Sequence, residues 1–200
     1  MRRRHPLAAA LAITALTSVA GAEDVAPAKR ALAVELTPAW TRLLLPAGPH
    51  DVETSRQNGG PAIVVGVSLR TAYFLAPFLE GSWFSLYSDH QQKNVPGFGV
   101  IAFDASMSAL AVLGGASFSF WRLRARAGIG TYSLHVSAHV LGDTLSTSEL
   151  DMGYLVALGG WVWQNDRLRI GAEARADFIV QASTTFATLG ITVAGDAVTW

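Results

Sequence analysis

The stretch Arg167-Leu168-Arg169-Ile170-Gly171-Ala172-Glu173-Ala174-Arg175-Ala176-Asp177-Phe178 decides the fold. Its odd positions carry Arg167, Arg169, Gly171, Glu173, Arg175 and Asp177, and its even positions Leu168, Ile170, Ala172, Ala174, Ala176 and Phe178. Side chains of an extended chain alternate between two faces, so strict alternation over this length predicts a strand. A helix of the same sequence would carry charge on every side.

The same split recurs outward along the chain. Ile63, Val65, Val67 and Leu69 oppose Gly66, Ser68 and Arg70; Leu123, Ala125, Ala127 and Ile129 oppose Arg124, Arg126 and Gly128. Eight strands are expected, near Ala31–Trp40, Pro61–Arg70, Ala72–Tyr87, Met107–Trp121, Arg122–Val136, Leu150–Trp163, Arg167–Phe178 and Thr185–Ala194. Within Tyr73 to Tyr87 both faces are apolar; Tyr73, Leu75, Leu79 and Trp83 are placed outward and Glu80 and Ser82 inward. The gaps after the second, fourth and sixth strands are tight. Those after the first and third are long and polar, and those after the fifth and seventh intermediate. Short turns at one end and longer loops at the other is the topology of a transmembrane β-barrel.

Composition sharpens this. Half of the 200 residues are apolar and only 15% are charged, against about 25% in a usual soluble domain. Mean hydropathy is +0.32. With no cysteine, a disulfide framework, a thiolate metal site, a cysteine nucleophile and a lipoprotein anchor are excluded. Arg2-Arg3-Arg4, the apolar run Leu7 to Val19 and the small residues Ala20-Gly21-Ala22 form a secretory signal peptide pattern, with cleavage expected after Ala22. Removing residues 1–22 leaves 12 basic and 15 acidic side chains, a net charge of −3. No basic footprint for nucleic acid remains. Residues 23–30 are read as a short lead-in and 31–200 as the barrel domain.

Soluble and membrane barrels both alternate, but they point their large apolar face in opposite directions. The polar face here is rich in Gly, Ala and Ser, as a crowded eight-stranded interior requires, and Lys29 and Lys93 are the only lysines. Trp40, Tyr73, Trp83, Tyr87, Tyr154 and Trp163 fall near strand ends, as aromatic girdles at the two bilayer interfaces would. The expected fold class is therefore all-β, an eight-stranded antiparallel up-and-down transmembrane barrel.

On these features the chain resembles the small bacterial outer-membrane barrels of the OmpA transmembrane and OmpX type. The resemblance implies an outer-membrane location and contact with outer-membrane lipids and lipopolysaccharide. It also implies an insertion signal at the aromatic Trp200, read by the barrel-insertion machinery. In the last strand the outward residues are odd up to Val193, whereas Val198 and Trp200 are even, so a bulge at Gly195-Asp196 is expected if these last residues stay in phase.

Inward parity collects Glu35, Arg70, Glu80, Arg124, Arg126, Arg169, Glu173, Arg175 and Asp177. Confined charges are costly unless paired, and five bases against four acids predict a salt-bridge network filling the lumen. The alternative is a narrow channel for small or apolar solutes.

No phosphate-binding glycine loop, His-Glu-x-x-His or Gly-x-Ser-x-Gly occurs. His135, Ser137 and Glu149 supply a base, a nucleophile and an acid, similar to outer-membrane lipid A deacylases. Against that resemblance stand Ala138 where asparagine is usual and about fifty further residues after Glu149. Histidine and serine at a strand end are also ordinary. His50, His90 and His139 lie beside Asp51, Asp89 and Asp143 in expected outer loops, where solvated side chains are the simpler reading than a zinc or copper site. No cofactor and no enzymatic activity are expected. The expected function is structural or surface-interacting, with an extracellular ligand taken by the loops. A soluble periplasmic barrel holding an apolar ligand is the remaining alternative.

Overall fold

A computed structural model describes residues 30–44, 56–70, 75–95, 99–140, 143–165 and 167–199. The leader and lead-in up to Lys29, and His50, Asp51, Tyr73 and Trp200, lie outside the described residues. Eight long strands follow one another: β1 Ala31–Leu43, β2 Gly59–Arg70, β3 Leu75–Val95, β4 Gly99–Phe120, β5 Leu123–Val140, β6 Asp143–Gln164, β7 Leu168–Ile179 and β8 Thr184–Thr199. Each pairs antiparallel with the next, and β8 pairs with β1, so the sheet closes on itself. A two-residue strand, Arg56–Gln57, pairs with Ser88 and Asp89 of β3.

Burial alternates as the sequence does, with the polarity of the faces inverted relative to a soluble protein. Val34, Leu36, Leu110, Val112, Ile129, Met152, Val156, Leu189 and Ile191 are exposed on the outside, Leu158 to 70%. Glu35, Glu80, Arg124, Arg126, Glu173, Arg175 and Asp177 are buried inside. An apolar belt around a charged interior is what a barrel in lipid requires, and the chain crosses the bilayer with its strands.

The four central strands exceed the expectation. β3, β4, β5 and β6 reach 21, 22, 18 and 22 residues, where about 9–11 suffice to cross. Residues 88–106 and 137–149, read from sequence as loops, are largely paired strand. Their Ser, Thr, Val and Ile suit a pleated sheet, and cross-strand partners hold them extended where no turn residue breaks the run. The result is a four-stranded sheet that projects from the barrel on the side away from Ala31 and Thr199.

Three single-residue bulges reset which way side chains point. Ser85 pairs with Ser108 but Tyr87 with Met107, leaving Leu86 extra. Tyr87 is thereby turned to the inner face, where its hydroxyl donates to Asp89 Oδ2 at 2.8 Å. It does not belong to the expected aromatic girdle. Trp161 pairs with Gly171 and Trp163 with Ile170, so Val162 bulges, Trp161 faces in and Trp163 out. On β8 the extra residue is Ala197: Ala33 pairs with Asp196 and Leu32 with Val198. The phase change expected at Gly195-Asp196 therefore occurs one residue later, and it keeps Asp196 inside. Trp40, Trp83 and Tyr154 are exposed toward the projecting end and Trp163 toward the opposite end, joined there by Trp121 at the Trp121-Arg122 turn. Tyr154 stacks on Phe178 with ring centroids 4.8 Å apart.

Strands β4 and β5 approach closely because glycine faces backbone. A Cβ on Gly130 would lie 2.0 Å from the Val112 carbonyl oxygen, and one on Gly115 2.1 Å from that of Ala127. Neither contact can relax without moving a strand. Gly130→Ala is therefore expected to destabilise the barrel by about 1–3 kcal/mol. The folded, fast-migrating band in detergent gels should be lost at a lower temperature than in wild type.

Candidate functional site

The barrel interior is the site, and it is arranged in three tiers. The middle tier joins β3, β5 and β7. Arg126 pairs with Glu80 and also donates through Nη1 to Glu173 Oε1 at 3.1 Å. Arg175 donates through Nη1 to Glu80 Oε1 at 2.7 Å and through Nε to Asp177 Oδ2 at 2.8 Å. Glu80 thus bridges two arginines arriving from other strands. Tyr132 of β5 donates its hydroxyl to Asp177 Oδ1 at 2.7 Å. The Arg126 guanidinium lies 4.0 Å from the Phe78 ring centre and that of Arg175 5.1 Å from Phe84, contacts that favour a cation over a desolvated ring face. All five charged groups are buried, so each depends on its partners for the solvation it has lost.

The tier toward the short turns holds Glu35, Arg70, Arg124, Arg169 and Asp196. Glu35 accepts from Arg124 Nη2 at 2.6 Å and from Ser68 at 2.7 Å. Asp196 accepts from Arg70 Nη1 at 2.8 Å, and Arg169 Nη2 stands 3.5 Å from its other oxygen. The guanidinium carbons of Arg124 and Arg169 lie 5.5 and 4.9 Å from the ring centre of Trp161. Asp196 shares the inward parity of Thr192 and Ala194; a break at Gly195-Asp196 would take it out of phase, but the bulge falls at Ala197 and leaves it inside.

The third tier, toward the projecting sheet, is apolar. Phe84, Leu86, Leu113, Tyr132, Leu134, Leu155, Ile179 and Phe186 are buried there as one cluster. Phe84 and Phe186 are tilted rings 4.9 Å apart, and Tyr132 meets Phe186 edge-on at 6.4 Å. Sequence reading expected a uniformly polar interior and missed this tier. Its signal is local: at Trp83-Phe84 both parities are apolar, and at Tyr132 and Leu134 the inward residues are apolar while the outward Thr131, Ser133 and His135 are polar.

On the outer face of the projecting sheet, register aligns polar residues in rows. Ser88, Ser106, Ser137 and Ser146 form one, and His90, Asp104, His139 and Thr144 another. His90 Nδ1 lies 2.5 Å from Asp104 Oδ1, His139 Nδ1 2.8 Å from Thr144 Oγ1, and Ser137 Oγ 2.8 Å from Ser106 Oγ. His135 Nδ1 is 2.9 Å from Ser148 Oγ. Glu149 pairs in register with Leu134 and so belongs to the opposite face of the sheet from His135. The structure does not assemble His135, Ser137 and Glu149 into one constellation. Among the described residues no group of three or more His, Asp and Glu is placed to share a metal ion.

The sequence matches no protein-family model and no curated protein, but the fold has solved counterparts. Ail, the attachment invasion locus protein of Yersinia pestis, superposes with a TM-score of 0.56 at 11% identity, over 84% of this chain and 97% of that one. Ail in complex with the heparin analogue sucrose octasulfate gives 0.54 at 13% identity with the same coverage. Neisserial surface protein A gives 0.51 at 12% identity, over 82% and 96% of the two chains. This chain has the fold of the small eight-stranded outer-membrane β-barrels. At such identities the likeness is one of architecture, and the side chains of the interior are this chain's own.

One buried carboxylate stands apart. Asp151 is 1% exposed, and neither of its oxygens has a hydrogen-bond partner among the described residues. Burying a carboxylate costs free energy that hydrogen bonds would offset, and among the described residues Asp151 makes none. Asp151→Asn removes the charge while keeping the shape, and is expected to raise stability by about 1–3 kcal/mol, read as a higher midpoint in urea unfolding from lipid vesicles.

Proposed function

We propose that this chain is an integral outer-membrane protein with a non-conducting lumen that acts at the cell surface and catalyses no reaction. The observation that carries the reading is Glu80 bridging Arg126 and Arg175 across the interior. Eight strands leave a space about as wide as side chains alone can fill. Here three strands fill it with interlocked ions, and the Phe84, Tyr132 and Phe186 rings lie over them. A passing ion would have to part buried pairs, each of which, with one partner removed, costs about 3–5 kcal/mol.

With the lumen closed, interaction falls to the projecting β3–β6 sheet, whose polar outer rows reach beyond the apolar belt. That height suits lipopolysaccharide and an extracellular ligand, and the Ail complex with a sulfated sugar analogue supports the latter by analogy. Delivery by a leader cleaved after Ala22, and insertion through machinery that reads Trp200, complete the proposal. The acyl-hydrolase reading loses support because His135 and Glu149 take opposite faces.

Two measurements test this. Fractionation should place the chain in the outer membrane with heat-modifiable migration, and recovery from the soluble periplasm would overturn the proposal. In planar bilayers the wild type should show no steady conductance. Arg175→Ala should lower stability by about 3–5 kcal/mol and introduce open events. A conducting wild type, or a variant unchanged in both properties, would remove the case for a closed lumen.

A further inference from the structure

The tier nearest the short turns encloses a cavity of about 170 Å³. Ser119 and Gln164 are exposed at its rim, so it opens at the end where the short turns lie. Two features distinguish it from the packed tiers beyond. The first is charge. Arg70, Arg124 and Arg169 face only Glu35 and Asp196, an excess of one positive charge, whereas the middle tier sets two arginines against three carboxylates.

The second is unmet hydrogen bonding. Arg124, whose side chain is 5% exposed, commits Nη2 to Glu35 while its Nη1 has no partner. Arg169, 12% exposed, is ion-paired through Nη2 to Asp196 Oδ1 at 3.5 Å, too far for a hydrogen bond, so neither atom makes one. Both side chains line the cavity beside Trp161, their unpaired nitrogens covered within its wall. A buried guanidinium N–H without an acceptor is costly. Water can accept the hydrogen bond but cannot neutralise the surplus charge. An oxyanion does both, because two of its oxygens match the planar fork of donors.

We propose that this chamber binds one small oxyanion, of the carboxylate or phosphate class, between Arg124 and Arg169. The anion enters from the short-turn side, its charge balances the tier, and it fixes the two arginines against Trp161. The site is independent of whether the lumen conducts, since it lies outside the middle tier.

The test is calorimetric titration of the folded full-length chain in zwitterionic-lipid nanodiscs with inorganic phosphate and with acetate, ionic strength being held with sodium chloride. Saturable one-to-one binding is expected. Arg169→Gln should weaken it about tenfold or more, the scale of one lost charge-assisted contact. Ser119→Glu, which places a carboxylate at the cavity rim directly across from Arg124, should abolish it by supplying the anion from within. Arg122→Gln, at the exposed turn and outside the cavity, should leave it unchanged. Repeating the titration with phosphatidylglycerol in the nanodisc separates the natural sources: competition identifies a lipid headgroup, and unaltered affinity identifies a free anion. Heats that never saturate, or equal affinity in wild type, Arg169→Gln and Ser119→Glu while all retain heat-modifiable migration, would overturn the proposal and leave the chamber to water.

Discussion

A strand in hydrocarbon can satisfy its N–H and C=O groups only from its neighbours, so a sheet that crosses a bilayer has to close. Everything else in this molecule follows from that constraint. Closure between β1 and β8 abolishes the edge and fixes two faces for every residue. The outer face must be apolar to meet lipid, and at eight strands the inner face is confined to a space one side chain deep from each wall. A polar group facing inward is then cut off from bulk water. It must find a partner across the barrel, as Arg126 does with Glu80 and Glu173.

The three tiers are three responses to that confinement. In the middle, arginines and carboxylates from β3, β5 and β7 solvate one another. Toward the projecting sheet, rings and aliphatic side chains need no partner, and Tyr132 joins the two regimes by turning its ring to Phe186 and its hydroxyl to Asp177. Toward the short turns the packing loosens around Trp161, and guanidinium donors are left over. Stability in such an interior is unevenly held. Removing a charge that has partners is expensive, whereas Asp151 makes no hydrogen bond among the described residues and its charge is expected to be dispensable.

Much of this was legible in the sequence because the side-chain period of a strand is two. The alternation of Arg167 to Phe178 was enough to assign β7, and the same rule put Glu35, Glu80, Arg124, Arg126, Glu173, Arg175 and Asp177 on the inner face. What parity could not supply is who meets whom: Arg126 and Glu80 are 46 residues apart, and their meeting depends on register around the ring. The exact place of a bulge is equally silent: Leu86 turns Tyr87 inward against its parity, and Ala197, one residue beyond the expected break, leaves Asp196 on the inner face. The projecting strands were read as loops because above the bilayer neither face must be apolar, so the alternation that marks a strand fades while the pairing continues. The apolar tier defeats parity in two ways: around Trp83-Phe84 both faces are apolar, so a period of two carries no contrast, and around Tyr132 and Leu134 the contrast is inverted, with the polar Thr131 and Ser133 outside.

The central claim is that alternate residues face lipid and a sealed interior, and alanines on both faces allow it to be measured without any substitution. The experiment is methyl NMR of the alanine-labelled chain in nanodiscs doped with a lipid-borne nitroxide. The outward Ala172 and Ala174 should be strongly broadened, while the buried Ala62, Ala111, Ala157 and Ala194 should stay sharp. Equal broadening of both sets, or broadening of the second set alone, would contradict the account.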